Sequence, residues 1–348
     1  MKNFNLNTYV RSNVLNLKPY ASARDEYKDI SGEMVFLDAN ENPFENGVNR
    51  YPDPQQKTLK TRLSLLKQVS EKQILLGNGS DEILDLIFRA FCEPNTNQII
   101  TTPPTYGMYE VLANLNAIAI KKVELNSLFQ PKVDAILEAQ NDQTKLLFLC
   151  SPNNPTANSF NVESITTLIS KFKGIVVIDE AYIDFSTEES WVKKLHEFPN
   201  LIVTQTLSKA YGMAGIRLGI CFASEEIIAV LNKIKPPYNV NELTQRKALE
   251  RLSQPEKVSE DIQHILQQRK HLLAELTAIN FIEFVYPSDA NFILVKVDDA
   301  NTRYFQLIEK GIVVRNRTNQ PLCQNCLRFT VGTERENNNL ITALKQLQ

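Results

Sequence analysis

Leu201-Ile-Val-Thr-Gln-Thr-Leu-Ser-Lys-Ala-Tyr-Gly-Met-Ala-Gly-Ile-Arg-Leu-Gly219 is the stretch that decides how this 348-residue chain is read. Leu201, Ile202 and Val203 open it as a short buried strand. A polar turn runs from Thr204 to Ser208, and Lys209 follows directly. Gly212 and Gly215 loosen the segment, and Arg217 stands eight positions beyond the lysine. A lone lysine is ordinarily a solvated surface charge. This one follows a buried strand, with hydroxyls before it and an arginine after it. Burial disfavours the ammonium form and frees the amine as a nucleophile towards carbonyls. Hydroxyls such as Thr206 and Ser208, with the Arg217 guanidinium, suit a phosphate.

An amine nucleophile beside a phosphate site points to a phosphorylated aldehyde cofactor, and pyridoxal phosphate is the common one. Its pyridine nitrogen needs a carboxylate to stay protonated. Gly174-Ile-Val-Val-Ile-Asp-Glu-Ala-Tyr182 supplies one, with four apolar residues ending in Asp179. Open α/β sheets bind ligands at the carboxyl ends of such strands. Alone, an Asp at a strand end reads equally as a turn or cap residue; together with Lys209 it reads as the cofactor's partner. Tyr182, three residues on, is placed to set a phenol against the ring oxygen.

These two segments resemble the fold-type I pyridoxal-phosphate aminotransferases, and among them the histidinol-phosphate aminotransferases. The resemblance runs from Leu17-Lys-Pro-Tyr-Ala-Ser-Ala-Arg24 to Cys326-Leu-Arg-Phe-Thr-Val-Gly-Thr333. It implies an α/β fold, a mostly parallel central sheet flanked by helices, with a smaller α+β domain. The implied division is an N-terminal arm over 1–35 that joins the small domain or a partner subunit, a cofactor domain over 36–240 and a small domain over 241–348. It further implies that Tyr106 stacks on the cofactor ring and that Asn154 bonds the ring hydroxyl. Tyr51 would reach the phosphate of a neighbouring subunit in a homodimer. Tyr20, Arg315 and Arg328 would contact substrate, the arginines because a guanidinium fork matches carboxylate or phosphate. The implied reaction exchanges an amino group between glutamate and the imidazole-acetol phosphate/histidinol phosphate pair. A threonine-phosphate decarboxylase and a broad aromatic aminotransferase share the cofactor motifs and stay open. A non-enzymatic descendant would be expected to lose Lys209 or Asp179, and both are present.

Composition narrows the rest. The content is 43% hydrophobic and 22% charged, ordinary for a globular chain long enough to form two lobes. A formal net charge of -2 and a pI near 6.1 give no reason to expect a nucleic-acid partner. No apolar run approaches the roughly 20 residues of a membrane span. Met1-Lys-Asn-Phe-Asn-Leu-Asn has no apolar signal core, so a cytoplasmic protein is expected. Five scattered cysteines argue against a disulfide framework. Cys323 and Cys326 form a Cys-x-x-Cys, but no second Cys or His pair completes a zinc site. His196, His264 and His271 read as surface residues, and no metal is expected.

Along the chain, residues 57–69 carry Leu59, Leu63 and Leu66 at helical spacing. Ile74-Leu-Leu-Gly-Asn-Gly-Ser-Asp-Glu82 reads as strand, glycine turn and helix start. Ser80 and Asp81 stand where the free amides of a first helical turn bind an anion. Residues 117–125 and 145–150 read as strands, with a helix beginning near Pro131 between them. In Cys150-Ser-Pro-Asn-Asn-Pro-Thr-Ala157, Ala157 stands where the resembling family has glycine; a positive φ there would strain it. A helix over about 256–279 leads to strands near 281–286, 291–297 and 327–331, with helices near 300–310 and 334–347.

Overall fold

A computed structural model describes residues 4–19 and 35–347. Its larger sheet holds β1 (Ile74–Asn78), β2 (Gln98–Thr101), β3 (Ala119–Lys122), β4 (Thr144–Cys150), β5 (Ile175–Asp179), β6 (Leu201–Thr206) and β7 (Leu218–Ala223). The spatial order is β1-β7-β6-β5-β4-β2-β3. Pairings from β6 through β5, β4 and β2 to β3 are all parallel. β7 runs against both neighbours, β6 and β1. Residues 207–217 carry no α-helix to cross over the sheet, so the chain turns back on itself.

Every residue of β5 and β6 is buried, as a sheet covered on both faces requires. Alternation sorts them: Val176 and Ile178 enter one core, Ile175 and Val177 the other. One face packs on α1 (Ser12–Leu15), α3 (Gly79–Phe91), α4 (Met108–Leu115) and α7 (Glu225–Ile234). The other meets α2 (Lys57–Lys67), α5 (Val133–Ala139), α6 (Val162–Lys171) and α8 (Glu242–Leu252). The 22-residue α9 (Pro255–Leu276) then begins with proline at its first turn, where a missing N–H costs nothing.

The second sheet is antiparallel, with β8 (Ile282–Val285), β9 (Phe292–Val297), β10 (Arg315–Asn316) and β11 (Cys326–Thr330) in the order β10-β11-β9-β8. Ile293, Val295, Leu327 and Phe329 point from it into a core closed by α9, α10 (Ala300–Glu309) and α11 (Glu334–Lys345). Phe292 and Leu294, on its other face, join the core of the large lobe. The residues lying between the lobes therefore come from the face opposite Leu327.

Three sequence expectations need adjustment, and one turn bears the strain considered above. Residues 4–19 dock on the large lobe: Val10 and Val14 are buried among α3 and α7, and the Arg11 amide donates to the Ala90 carbonyl at 3.0 Å. The strand expected over 117–125 is only β3, a mostly exposed edge strand carrying Lys121 and Lys122, charges that deter edge pairing. Leu66 is exposed, because the covered stripe of α2 is limited to Leu59, Lys60 and Leu63. Ala157 does adopt a positive φ, 69°. That conformation costs an L-residue roughly 1–2 kcal/mol. Its fully buried methyl returns about 0.8 kcal/mol, which offsets much of the strain. Among the described residues no helix is long and apolar enough to cross a membrane, and no His, Cys, Asp and Glu cluster is placed to hold a metal.

Candidate active site

The carboxyl ends of β1, β2, β4, β5 and β6 converge on one cleft. Each strand hands the chain to a turn there, and the turns carry the polar groups. Ser80 and Asp81 open α3 after β1, and Tyr106 follows β2. Asn154 lies beyond β4, Asp179 ends β5 with Tyr182 just after it, and Thr206, Ser208 and Lys209 leave β6. Arg217 enters β7, and all of these residues line the cleft together.

Asp179 is buried, and burial pushes its carboxyl pKa up. Hydrogen bonds pull the other way, chiefly from the Tyr109 hydroxyl, which reaches Oδ2 at 2.9 Å, and the Ala181 amide, which reaches Oδ1 at 3.2 Å. Sequence reading missed Tyr109. It sits three residues after Tyr106, yet the apolar period of α4 disguises it as core. Lys209 has its pKa lowered, first by burial and next by the Arg328 guanidinium. Its Nζ lies 5.5 Å from the centre of the Tyr182 ring. Asn154 Nδ2 donates to the Tyr182 hydroxyl at 3.4 Å, and Asn154 Oδ1 accepts from Arg328 Nη1. Arg328 also lies over the Phe292 ring, 4.9 Å from its centroid, and that ring meets Tyr182 edge-on at 5.0 Å. The Arg328 guanidinium thus carries the smaller lobe into the cleft.

The opposite end of the cleft suits an anion. The first amides of α3 have no acceptor inside the helix. Thr206 Oγ1 and Ser208 Oγ are 3.0 Å apart, and Arg217 stands beside them in a left-handed conformation, φ 56°. The Asp81 carboxylate accepts from Tyr106 at 3.1 Å and lies 3.7 Å from Arg217. As an anion it would repel a phosphate, so Asp81 offers its backbone amide and its grip on Arg217. Gly79 donates to the Arg217 carbonyl at 2.9 Å, which presses α3 against β7. A Cβ on Gly219 would overlap the Gly79 carbonyl carbon and the Ser80 amide nitrogen. Gly219→Ala should therefore displace this cup. Loss of one charge-assisted hydrogen bond, roughly 1.5–3 kcal/mol, would weaken cofactor binding about 10-fold or more. Titration of the cofactor-free variant measures it, and unchanged affinity would show the cup uninvolved.

The donor set fits a phosphorylated pyridine aldehyde: an anion cup at one end, a buried carboxylate beneath, and an amine with a lowered pKa beside it. Three expected residues stand apart. Tyr51 is exposed and stacks on Tyr238 at 4.5 Å, outside its own chain's cleft. Arg315 is exposed, directly opposite Arg328 in the β10–β11 ladder. Tyr20 lies outside the described residues. Cys323 and Cys326 are both buried and free, and the three histidines are exposed.

Comparison with known proteins adds to this geometry. A histidinol-phosphate aminotransferase of Flavobacterium johnsoniae is 64% identical over 348 residues, all of both chains. That of Flavobacterium psychrophilum is 61% identical over 347 residues, again the full length of both. The crystal structure of the histidinol-phosphate aminotransferase from Clostridium acetobutylicum superposes with a TM-score of 0.80 at 26% identity, covering 86% of this chain and 91% of that one. The profile of the family described as Aminotransferase class I and II matches residues 25–344. With that match spanning nearly the whole chain, the protein belongs to the class I and II aminotransferase family.

Proposed function

We propose that the chain is a pyridoxal-phosphate-dependent transaminase. It interconverts histidinol phosphate and 2-oxoglutarate with imidazole-acetol phosphate and glutamate, in histidine biosynthesis. The observation that carries this reading is Lys209 and Asp179 lining one cleft with a hydroxyl-and-arginine cup, in a chain of 64% full-length identity to a histidinol-phosphate aminotransferase.

When bound, pyridoxal phosphate supplies an electron-withdrawing ring that makes the proton on the amino-bearing carbon removable. Asp179 holds the charge at the ring nitrogen, and Tyr109 holds Asp179. Asn154 and Tyr182 would bond the ring oxygen, and Tyr106 would pack against the ring. Ser80, the Asp81 amide, Thr206, Ser208 and Arg217 bind the phosphate. Lys209 would hold the aldehyde through Nζ and, once released, would take up and return the substrate's proton at that atom. Arg328, with Arg315 and Tyr20, binds the substrate's anionic end.

The reading includes a cytoplasmic homodimer with a cofactor lobe over 36–240 and a smaller lobe over 241–348. Val35, Leu37, Phe44, Val48 and Tyr51 are exposed large side chains in the segment before α2. A two-fold partner would cover them and bring Tyr51 to the neighbouring phosphate. Sedimentation at assay concentration decides this; a fully active monomer would end the shared-site claim.

The lowered Lys209 pKa gives a signed pH effect. Only the neutral amine attacks an aldehyde, so capture of pyridoxal phosphate, trapped by borohydride, should rise with pH through a midpoint below the ordinary 10.5. Arg328→Gln removes a positive charge that disfavours the ammonium, so its midpoint should move up. An unshifted midpoint would separate Arg328 from the amine.

The substrate is tested by comparing histidinol phosphate with histidinol, phenylalanine and threonine phosphate, with 2-oxoglutarate as acceptor. Histidinol phosphate should lead by about 10-fold or more, the contribution of one charge-assisted bond. Equal use of histidinol, or loss of carbon dioxide from threonine phosphate, would assign another reaction.

A further inference from the structure

We infer that Arg317 is a third arginine of the substrate clamp, and that it selects a phosphate dianion over a carboxylate. This rests on the phosphate-ester reading above.

The ladder sets the geometry. Arg315 lies opposite Arg328 and Asn316 opposite Leu327. The Arg317 amide continues the pairing, donating to the Cys326 carbonyl at 2.8 Å. Alternate residues of a strand share a face. Leu327 faces the core of the smaller lobe, so Arg315, Arg317 and Arg328 share the opposite face, towards the cleft. That face meets Asn154 through Arg328.

The three cations lack counter-charge among the described residues. Among the described residues no ion pair joins any of them to a carboxylate, whereas Arg217, Arg251 and Arg303 each have one. Arg317 Nε and Arg328 Nε are both buried without a hydrogen-bond partner. Buried donors are ordinarily satisfied, and an exception asks for a missing acceptor. Arg317 and Arg315 both hold the Arg328 pKa down, to about 10 with burial as the larger cause. The Tyr182 hydroxyl in turn feels both Arg328 and Arg317. Repulsion among three guanidinia on one face is relieved more by two negative charges than by one. Arg315 and Arg328 can fork a carboxylate. A third guanidinium favours the ester with two charges and three acceptor oxygens.

Arg317→Gln keeps the stem and removes the charge. It should lower kcat/KM for histidinol phosphate at least about 10-fold more than for glutamate. The inhibition constant of phenyl phosphate, an unreactive monoester, should rise about 10-fold or more, and that of maleate by less. Arg317→Lys should recover part of the loss, since it restores charge without the fork. If wild type prefers histidinol phosphate to histidinol but neither variant changes the phosphate-to-carboxylate ratio, Arg317 is not in the clamp. If wild type shows no such preference, the phosphate-ester reading itself fails and takes this inference with it. Should the glutamine variant not fold, the lysine variant alone decides: a ratio equal to wild type overturns the proposal.

Discussion

Lys209→Ala should lower turnover by at least about 10⁴-fold, because the cofactor's anchor and the proton carrier disappear together. The variant should still fold. Its ammonium form is disfavoured by burial and by Arg328, so removing it relieves strain in the cofactor-free protein. The cup of Ser80, Thr206, Ser208 and Arg217 remains, so pyridoxal phosphate should still bind, without a covalent link reducible by borohydride. Turnover within about 10-fold of wild type would require another base, and the neighbouring Tyr182, whose pKa burial raises, is a poor one.

Asp179→Asn is the second large effect. The side chain keeps its shape: its Oδ1 can still accept from the Ala181 amide, while its Nδ2 must donate to the Tyr109 oxygen, reversing that bond. What disappears is the negative charge beneath the cofactor ring. Removing a single preorganised electrostatic group from a buried site commonly costs about 10²–10³ in kcat. Stability should move the other way. The folded pKa of Asp179 is raised above its unfolded value. Its contribution is therefore fully present below the unfolded pKa and is lost as pH rises through the folded one. Cofactor-free Asp179→Asn lacks that loss, so its stability relative to wild type should improve as pH rises. Denaturant titration across that range measures the difference, and a variant stability that falls relative to wild type as pH rises would contradict the burial account. Near-normal kcat would mean another group partners the ring nitrogen.

The sequence made some parts of this site legible for physical reasons. Asp179 ends the apolar strand β5, Lys209 follows β6 after a run of hydroxyls, and it is the pairing of the two charges that points to chemistry. Ser80 was readable because a glycine turn before an apolar helix announces free amides. Other features were closed to such reading. A buried apolar run looks the same in either direction, so the reversal of β7 could not be read from Leu218-Gly-Ile-Cys-Phe-Ala223. Tyr109 hides in a helix whose apolar period it satisfies. Arg317 sits just past a two-residue strand, too short to show alternation, and only its register with Cys326 puts it beside Arg315 and Arg328. The docking of residues 4–19 buries two valines, Val10 and Val14, with Phe4, Leu6 and Tyr9 packed beside them, apolar residues scattered through a polar stretch without a clear period. Replacement of the resembling family's glycine by Ala157 raises the question of a positive φ, but the conformation itself and the burial that makes alanine tolerable there are tertiary facts.

The most direct measurement is a half-reaction without acceptor. Protein loaded with pyridoxal phosphate is mixed with histidinol phosphate alone, and the ketone product is quantified. Imidazole-acetol phosphate should form in proportion to loaded sites and then stop. Adding 2-oxoglutarate should restart it, with glutamate appearing in equal amount. No ketone from histidinol phosphate, with ready conversion of phenylalanine by the same loaded protein, would contradict the assignment.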